Sequence, residues 1–308
     1  FVQSKAAETS PLYSPNGQTI AFTVSDDPPT WAGARTVQIA PAAGGAAKKL
    51  ADTSDGFGRY SELVGWSADS RKLYFTELQG TNFRLLAMPL EGSPTVINRG
   101  DGMSLGGVSL NAKKTHFGFG WEKLDQPGEA YVSPAERFEP TAVSRINHEL
   151  PRPPLGRTET LRWKSTEGFE IEGLLTNPVG YEKGMKYPLL VIAHGGPMGA
   201  FTQTFDGTPA SYPVAAFASS GYAVLRPNVR GSSGYGHKFR YANYGDWGGG
   251  DFRDLMSGVD HVISQGIADP DRLGIMGWSY GGFMTSWTIT QTKRFRAASV
   301  GAGVRILL

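Results

Sequence analysis

Gly277-Trp278-Ser279-Tyr280-Gly281-Gly282 follows the short apolar run Arg272-Leu273-Gly274-Ile275-Met276 and precedes Phe283 to Gln291. The run reads as a buried strand and the segment after it as a helix. The chain therefore passes from strand through tight turn to helix at Ser279, the context that a G-x-S-x-G nucleophile elbow requires. A serine on so sharp a bend sits in a strained backbone, and only small neighbours let strand and helix approach closely around it. Gly277 and Gly281 meet that need. The bare pattern arises by chance in many chains of this length; its flanks make Ser279 the candidate nucleophile.

The region around the elbow alternates continuous apolar strands with helices. Tyr187 to His194, Tyr222 to Pro227 and Arg272 to Met276 read as buried strands, and Ala297 to Val300 begins a fourth. Between them, Val214 to Ser220 reads as a helical segment. Phe252 to Gln265 carries Leu255, Val259 and Val262 at spacings of four and three, which makes an amphipathic helix. Such a succession implies a doubly wound, mostly parallel sheet covered on both faces. Thr160 to Lys164 and Glu170 to Leu175 form a hairpin around Glu167-Gly168. Leu150-Pro151-Arg152-Pro153-Pro154-Leu155-Gly156 suits neither helix nor central strand, so the domain boundary is placed there, between 1–150 and 151–308.

The first half repeats itself. Ser14-Pro15-Asn16-Gly17-Gln18-Thr19-Ile20-Ala21-Phe22 aligns without a gap with Ser67 to Phe75 and again with Ser109 to Phe117, at offsets of 53 and 42 residues. These are near the ~40 to 50 residues of a propeller blade. Each copy has a polar turn leading into a strand, and a further strand follows at Arg35 to Ala40, Phe83 to Pro89 and Glu129 to Ser133. Second turns follow at Gly44-Gly45 and Glu91-Gly92-Ser93. The expectation is part of an all-β propeller with about three four-stranded blades, fewer than the ~4 to 8 that close a ring. A sandwich with three similar hairpins is the plainer alternative.

Composition narrows the classes. The 308 residues carry 30 basic and 28 acidic side chains, a net charge of +2, which gives no reason to invoke nucleic acid or an anionic membrane. No stretch approaches the ~20 apolar residues of a spanning helix. With no cysteine, disulfides, thiolate metal sites and cysteine nucleophiles are excluded. The 41 glycines and 20 prolines mark many turns. The chain begins at Phe1 with no recognisable leader. Its compartment stays open between cytoplasmic and periplasmic or secreted, and its oligomeric state is equally open.

Acyl transfer by serine needs oxyanion donors, a base and a carboxylate to orient the base. His194-Gly195-Gly196-Pro197, at the end of an apolar strand, offers a backbone amide at Gly196, and Tyr280 offers a second. The alternative is that Gly195-Gly196 only turns the chain. Asp246, Asp251 and Asp254 invite a metal reading, but acids around a helix start also favour the positive end of its dipole. Gly248-Gly249-Gly250 lacks the Lys and Ser/Thr of a phosphate loop. No metal or cofactor is expected. Arg230 is a candidate to pair with one of these acids and fix the loops.

Taken in order, His194-Gly195-Gly196-Pro197, Asn228-Val229-Arg230-Gly231-Ser232-Ser233-Gly234-Tyr235-Gly236, Gly245-Asp246-Trp247-Gly248-Gly249 with Asp251, and the elbow resemble the prolyl oligopeptidase family of serine peptidases. The match is strong over about 187–301, and its H-G-G-P and R-G-S-S-G-Y-G forms are most similar to the acylaminoacyl-peptidase and dipeptidyl-aminopeptidase branch. The resemblance implies a propeller that covers an α/β-hydrolase domain and cleavage of short peptides. In its terms, Ser279 forms the acyl-enzyme and the amides of Gly196 and Tyr280 hold the oxyanion. Other branches carry a tyrosine near the position of His194, so here a backbone-only oxyanion hole is implied.

The fold's triad runs Ser, then Asp or Glu, then His, yet neither a carboxylate nor a histidine follows Ser279. His116, His148, His194, His237 and His261 all precede it and read as surface or packing residues. The resemblance implies an Asp about 80 residues and a His about 110 to 120 residues beyond the serine, so the expectation is a chain truncated at both ends. A carboxylesterase and a non-catalytic propeller-based binding module remain as alternatives.

Overall fold

In the strand Lys72–Gln79, Leu73 and Phe75 turn one way and Tyr74 the other, as the two-residue period of a pleated strand dictates. That alternation organises the first half of the chain in the computed structural model, which describes residues 5–27, 29–98, 103–147, 149, 154–207 and 212–303. Three four-stranded sheets follow one another in chain order. The first holds β1 (Glu8–Tyr13), β2 (Thr19–Ser25), β3 (Arg35–Pro41) and β4 (Lys48–Lys49). The second holds β5 (Glu62–Trp66), β6 (Lys72–Gln79), β7 (Asn82–Pro89) and β8 (Thr95–Val96), and the third β9 (Met103–Leu110), β10 (His116–Lys123), β11 (Gln126–Pro134) and β12 (Thr141–Ala142).

Apolar side chains meet between sheets. Ala21 and Val37 of the first sheet pack with Trp66, Leu73, Phe75, Leu86 and Met88 of the second. From the opposite face of that second sheet, Tyr74, Leu85 and Ala87 pack with Leu105, Phe117 and Phe119 of the third. Trp66 Nε1 donates to Leu12 O at 3.0 Å, and the Tyr74 and Phe117 rings meet edge to face at 4.9 Å. A middle sheet buried on both faces differs from the two facing sheets of a sandwich.

The third repeat lies two residues from where gapless alignment puts it. The Ser14, Ser67 and Asn111 amides donate to the carbonyls of Thr19, Lys72 and His116. Their side-chain oxygens accept from the amides of those same three residues at 3.0, 3.1 and 3.2 Å. Gly17, Ser70 and Lys114 share a positive φ of 71°, 60° and 59°. The structural offsets are therefore 53 and 44, not 42, and Asn111 rather than Ser109 opens the third turn. A shift of two keeps every strand residue on its face, so hydrophobic alternation cannot reveal it.

The later elements are β13 (Thr158–Lys164), β14 (Glu170–Thr176), β15 (Tyr187–Ala193), α1 (Val214–Ser219), β16 (Ala223–Asn228), α2 (His237–Tyr241), α3 (Gly250–Ser264), β17 (Ala268–Trp278), α4 (Tyr280–Gln291) and β18 (Phe295–Gly301). Their sheet has the order β13-β14-β16-β15-β17-β18. The hairpin joins antiparallel through β14 and β16, while β16, β15, β17 and β18 run parallel. Leu189, Val191 and Ile192 of β15 and Val224 and Leu225 of β16 are buried, as strands covered on both faces must be. Strand β17 starts four residues before its apolar run, at Ala268–Asp271, where Ala268 is buried and Pro270 and Asp271 are exposed, and α2 was not anticipated.

Contacts between Cα atoms divide the chain into two units. One comprises Phe1–Lys123, Gly128–Glu149 and Ser233–His237, and the other Leu124–Pro127, Leu150–Ser232 and Lys238–Leu308. Within the first, Asp55 Oδ1 accepts from the Gly234 and Gly236 amides at 2.8 and 3.0 Å, and Gly80 N donates to Gly234 O at 2.7 Å. Of the proline-rich stretch 150–156, where the domain boundary is expected, residues 150–153 lie outside the described residues.

Candidate active site

Adjacent parallel strands β15 and β17 part after the pair Ala193 and Gly277, and the segments that diverge there build the site. Beyond β17, Ser279 adopts φ 59° and ψ −120° and stands at the head of α4, with its hydroxyl making no capping bond. The left-handed region is costly for a serine, about 1 to 3 kcal/mol. The bend survives because its surroundings over-determine it. Ser279 N donates to Gly301 O at 2.9 Å, and Phe283 N donates to Ser279 O at 3.0 Å. A Cβ on Gly277 would overlap the Gly281 carbonyl, and one on Gly281 would overlap the Ala193 carbonyl oxygen.

Beyond β15, the chain turns at Gly195 and Gly196. A Cβ built on Gly195 would lie 3.4 Å from the Ser279 Cβ, and Gly196 takes φ 135°, so the predicted nucleophile and the glycine pair are neighbours. The amide of Tyr280 lies at the first turn of α4, where unpaired backbone N–H groups carry the positive end of the helix dipole.

The ring of His194 turns away from this surface. It is buried, with Nε2 2.8 Å from Ser232 Oγ and Nδ1 2.9 Å from Gly195 O, and its edge meets the Phe201 ring at 5.5 Å. Burial holds its pKa below the usual imidazole value. Its position favours a brace for the glycine turn over proton transfer. Among the other described histidines, His116 lies in β10 beside Thr115 and His261 is stacked on Trp163 along α3, while His237 opens α2 in the first unit. His148 lies outside the described residues.

Sequence reasoning passed over the side chain of Tyr280. It is buried, and its hydroxyl donates to Asp251 Oδ2. The other carboxylate oxygen, Oδ1, accepts from Gly248 N at 3.0 Å and Phe252 N at 2.8 Å, and Asn243 flanks the pair. Burial raises the Asp251 pKa to about 6 against these hydrogen bonds, and burial with the adjacent carboxylate raises that of the Tyr280 phenol. The Trp247 ring closes edge to face on Tyr280 at 4.9 Å. Local sequence gave no sign of this bond, because its partners are separated by 29 residues.

Arg230 pairs with Asp254. Nε and Nη2 reach the two carboxylate oxygens at 2.8 and 2.7 Å, and Nη2 also donates to Ser165 Oγ at 3.2 Å. Glu167 takes Nη1, and the guanidinium lies 4.5 Å from the centre of the Phe169 ring. One buried cation thus ties the loop after β16 to α3 and to the hairpin turn. Asp246 accepts from Gly250 N at 2.8 Å and caps α3. Among the described residues no group of three or more His, Cys, Asp or Glu could hold a metal ion, and no helix is long and apolar enough to cross a membrane.

The prolyl oligopeptidase family model matches residues 210–307, a span that includes the elbow and both acids behind it. Over these residues the chain belongs to that family. An uncharacterized peptidase of Bacillus subtilis, YuxL, is 33% identical over 256 residues, 83% of this chain and 36% of the relative. Dipeptidyl-peptidase 5 of Trichophyton schoenleinii is 27% identical over 301 residues, 95% of this chain and 40% of the relative. The chain thus spans about two fifths of the length of these curated relatives. Among solved structures, Pyrococcus horikoshii acylaminoacyl peptidase is similar with a TM-score of 0.75 at 24% identity, over 99% of this chain and 45% of that one. Porphyromonas gingivalis dipeptidyl peptidase 4 is similar with a TM-score of 0.76 at 17% identity, over 96% and 41%. At those identities the likeness is one of fold. The structure brings Ser279, Gly195, Gly196 and Tyr280 to the adjoining ends of β15 and β17.

Proposed function

We propose that this chain supplies the nucleophile and the oxyanion donors of a serine peptidase acting on short peptides. In this reading, residues 1–150 are part of a β-propeller and 151–308 the first portion of an α/β-hydrolase domain. The Ser279 hydroxyl attacks the scissile carbonyl carbon as a histidine takes its proton, and the tetrahedral oxyanion rests on the Gly196 and Tyr280 amides. Collapse expels the amine with that proton and leaves an acyl-serine, which water hydrolyses. The observation that carries the reading is a serine at φ 59°, its hydroxyl making no capping bond, at the head of α4 and against Gly195. The buried and doubly engaged ring of His194 supports a base, with its carboxylate, outside these 308 residues. The peptidase names of the relatives support amide over ester substrates.

Fluorophosphonate treatment followed by peptide mass spectrometry tests this. In the active peptidase that carries this chain, Ser279 is the labelled residue, and Ser279→Ala abolishes both labelling and turnover of short peptide anilides. The 308 residues alone label only feebly. Rapid labelling of that short chain would place the base within it. Turnover of acyl esters without turnover of matched anilides would make the enzyme an esterase.

A further inference from the structure

The two arms of the site are joined by one side chain that neither arm contains. Successive N–H groups of a strand point to opposite edges, and Ser279 N is directed to Gly301 O of β18. Trp278 N therefore points toward β15. There it meets the Tyr212 hydroxyl at 2.8 Å, and the same hydroxyl donates to Ala193 O at 3.3 Å. Ala193 and Gly277 are the last pair of the β15–β17 ladder. The phenol oxygen is thus inserted into the seam where the next direct rung would fall, one residue before Ser279 and one before His194.

Tyr212 is seated for this. Its ring meets Phe201 edge to face at 6.1 Å and packs against the cluster of Ile192, Val214 and Val224. Phe201 is itself held by Asn228, whose Oδ1 accepts from Phe201 N at 2.7 Å and whose Nδ2 donates to Phe201 O at 3.0 Å. A phenol has one proton to give and lone pairs to accept with, so one hydroxyl satisfies both strands. Burial raises the pKa of this phenol, which keeps its proton in place.

We propose that Tyr212 is a positioning residue for acyl transfer, its hydroxyl acting as a spacer that sets the gap between the Gly195-Gly196 turn and the Ser279-Tyr280 elbow. This rests on the peptidase reading and deepens it. Without the oxygen, Trp278 N and Ala193 O either close on each other or admit water, and in both cases the two donors move relative to the Ser279 hydroxyl. Hydrogen bonds to a developing oxyanion depend steeply on that geometry. The loss therefore falls on the transition state and spares ground-state binding.

The experiment is Tyr212→Phe in the active protein, checked for folding by circular dichroism. We expect kcat on a peptide anilide to fall about 10- to 100-fold with KM within about threefold. Affinity for a peptide boronic acid, which forms a tetrahedral adduct, should weaken by the same factor as kcat/KM, while a product-like peptide acid binds as before. Equal losses for boronate and product, or unchanged kcat, would overturn the positioning role. Amide hydrogen exchange in the wild type gives a second reading that needs no variant: Trp278 N–H should exchange slowly, and exchange at the rate of an open amide would overturn the spacer. A wild type that neither turns over anilides nor binds the boronate defeats the peptidase reading itself, whereas an active wild type with an equally active variant defeats Tyr212 alone.

Discussion

The three four-stranded sheets and the six-stranded sheet solve opposite problems. In the first, turns at Ser14, Ser67 and Asn111 perform the same task with different residues, and Gly17, Ser70 and Lys114 share one backbone conformation despite their chemistry. In the second, Gly277, Gly281 and Gly195 each occupy a position where a methyl group meets backbone or the nucleophile itself. A repeated unit tolerates substitution because its cores need only apolar bulk at alternate positions. A reactive bend occurs once, and its neighbours are fixed by contact distance. The contact distances around the elbow therefore leave less room for substitution than the turns of the repeat do.

The sharpest way to break that contrast is a pair of matched substitutions. Gly281→Ala forces a methyl into the Ala193 carbonyl and should lower fluorophosphonate labelling of Ser279 at least about 100-fold in the active protein. Gly17→Ala has open space around its new methyl and pays only for its φ of 71°, about 1 kcal/mol, with labelling intact. Labelling rates and urea midpoints for both variants check this, and a harmless Gly281→Ala would erase the distinction.

A smaller effect is expected from Asp251, which is buried beside the Tyr280 phenol. A folded pKa of about 6 exceeds the unfolded value of about 3.9, so the native state binds the proton more tightly. Stability from this group is fully present below about pH 4 and is lost as pH rises through 6, about 3 kcal/mol in all. Asp251→Asn is neutral throughout. Its unfolding free energy relative to wild type should therefore increase by about that amount between pH 4 and pH 7 in urea titrations; parallel pH profiles would count against the buried carboxylate. The smallest expected effect returns to the repeat. Lys114→Gly relieves a φ of 59° and should raise stability by up to about 1 kcal/mol, read as a shift in the same unfolding midpoint.

Much of this architecture could be read from the chain because its signals are local. The repeat marked β6 and β7, continuous apolar runs marked β15 and β16, and the spacing of Leu255, Val259 and Val262 marked α3. The elbow announced itself through its flanks. What escaped depends on partners far apart in sequence. Tyr212 and Trp278 are separated by 66 residues and Tyr280 and Asp251 by 29, and nothing near any of them hints at the other. The third turn escaped for a different reason, since a slip of two leaves a strand's facing unchanged. The stretch Ala268–Asp271 of β17, with two aspartates and a proline, lacks the apolar pattern by which the rest of that strand was found.

The short fourth strands of the first three sheets have a consequence for how the molecule behaves in crowded solution. Lys48–Lys49, Thr95–Val96 and Thr141–Ala142 each present only two residues at an open border, the first of them doubly charged, and so give a stray chain little backbone on which to zip.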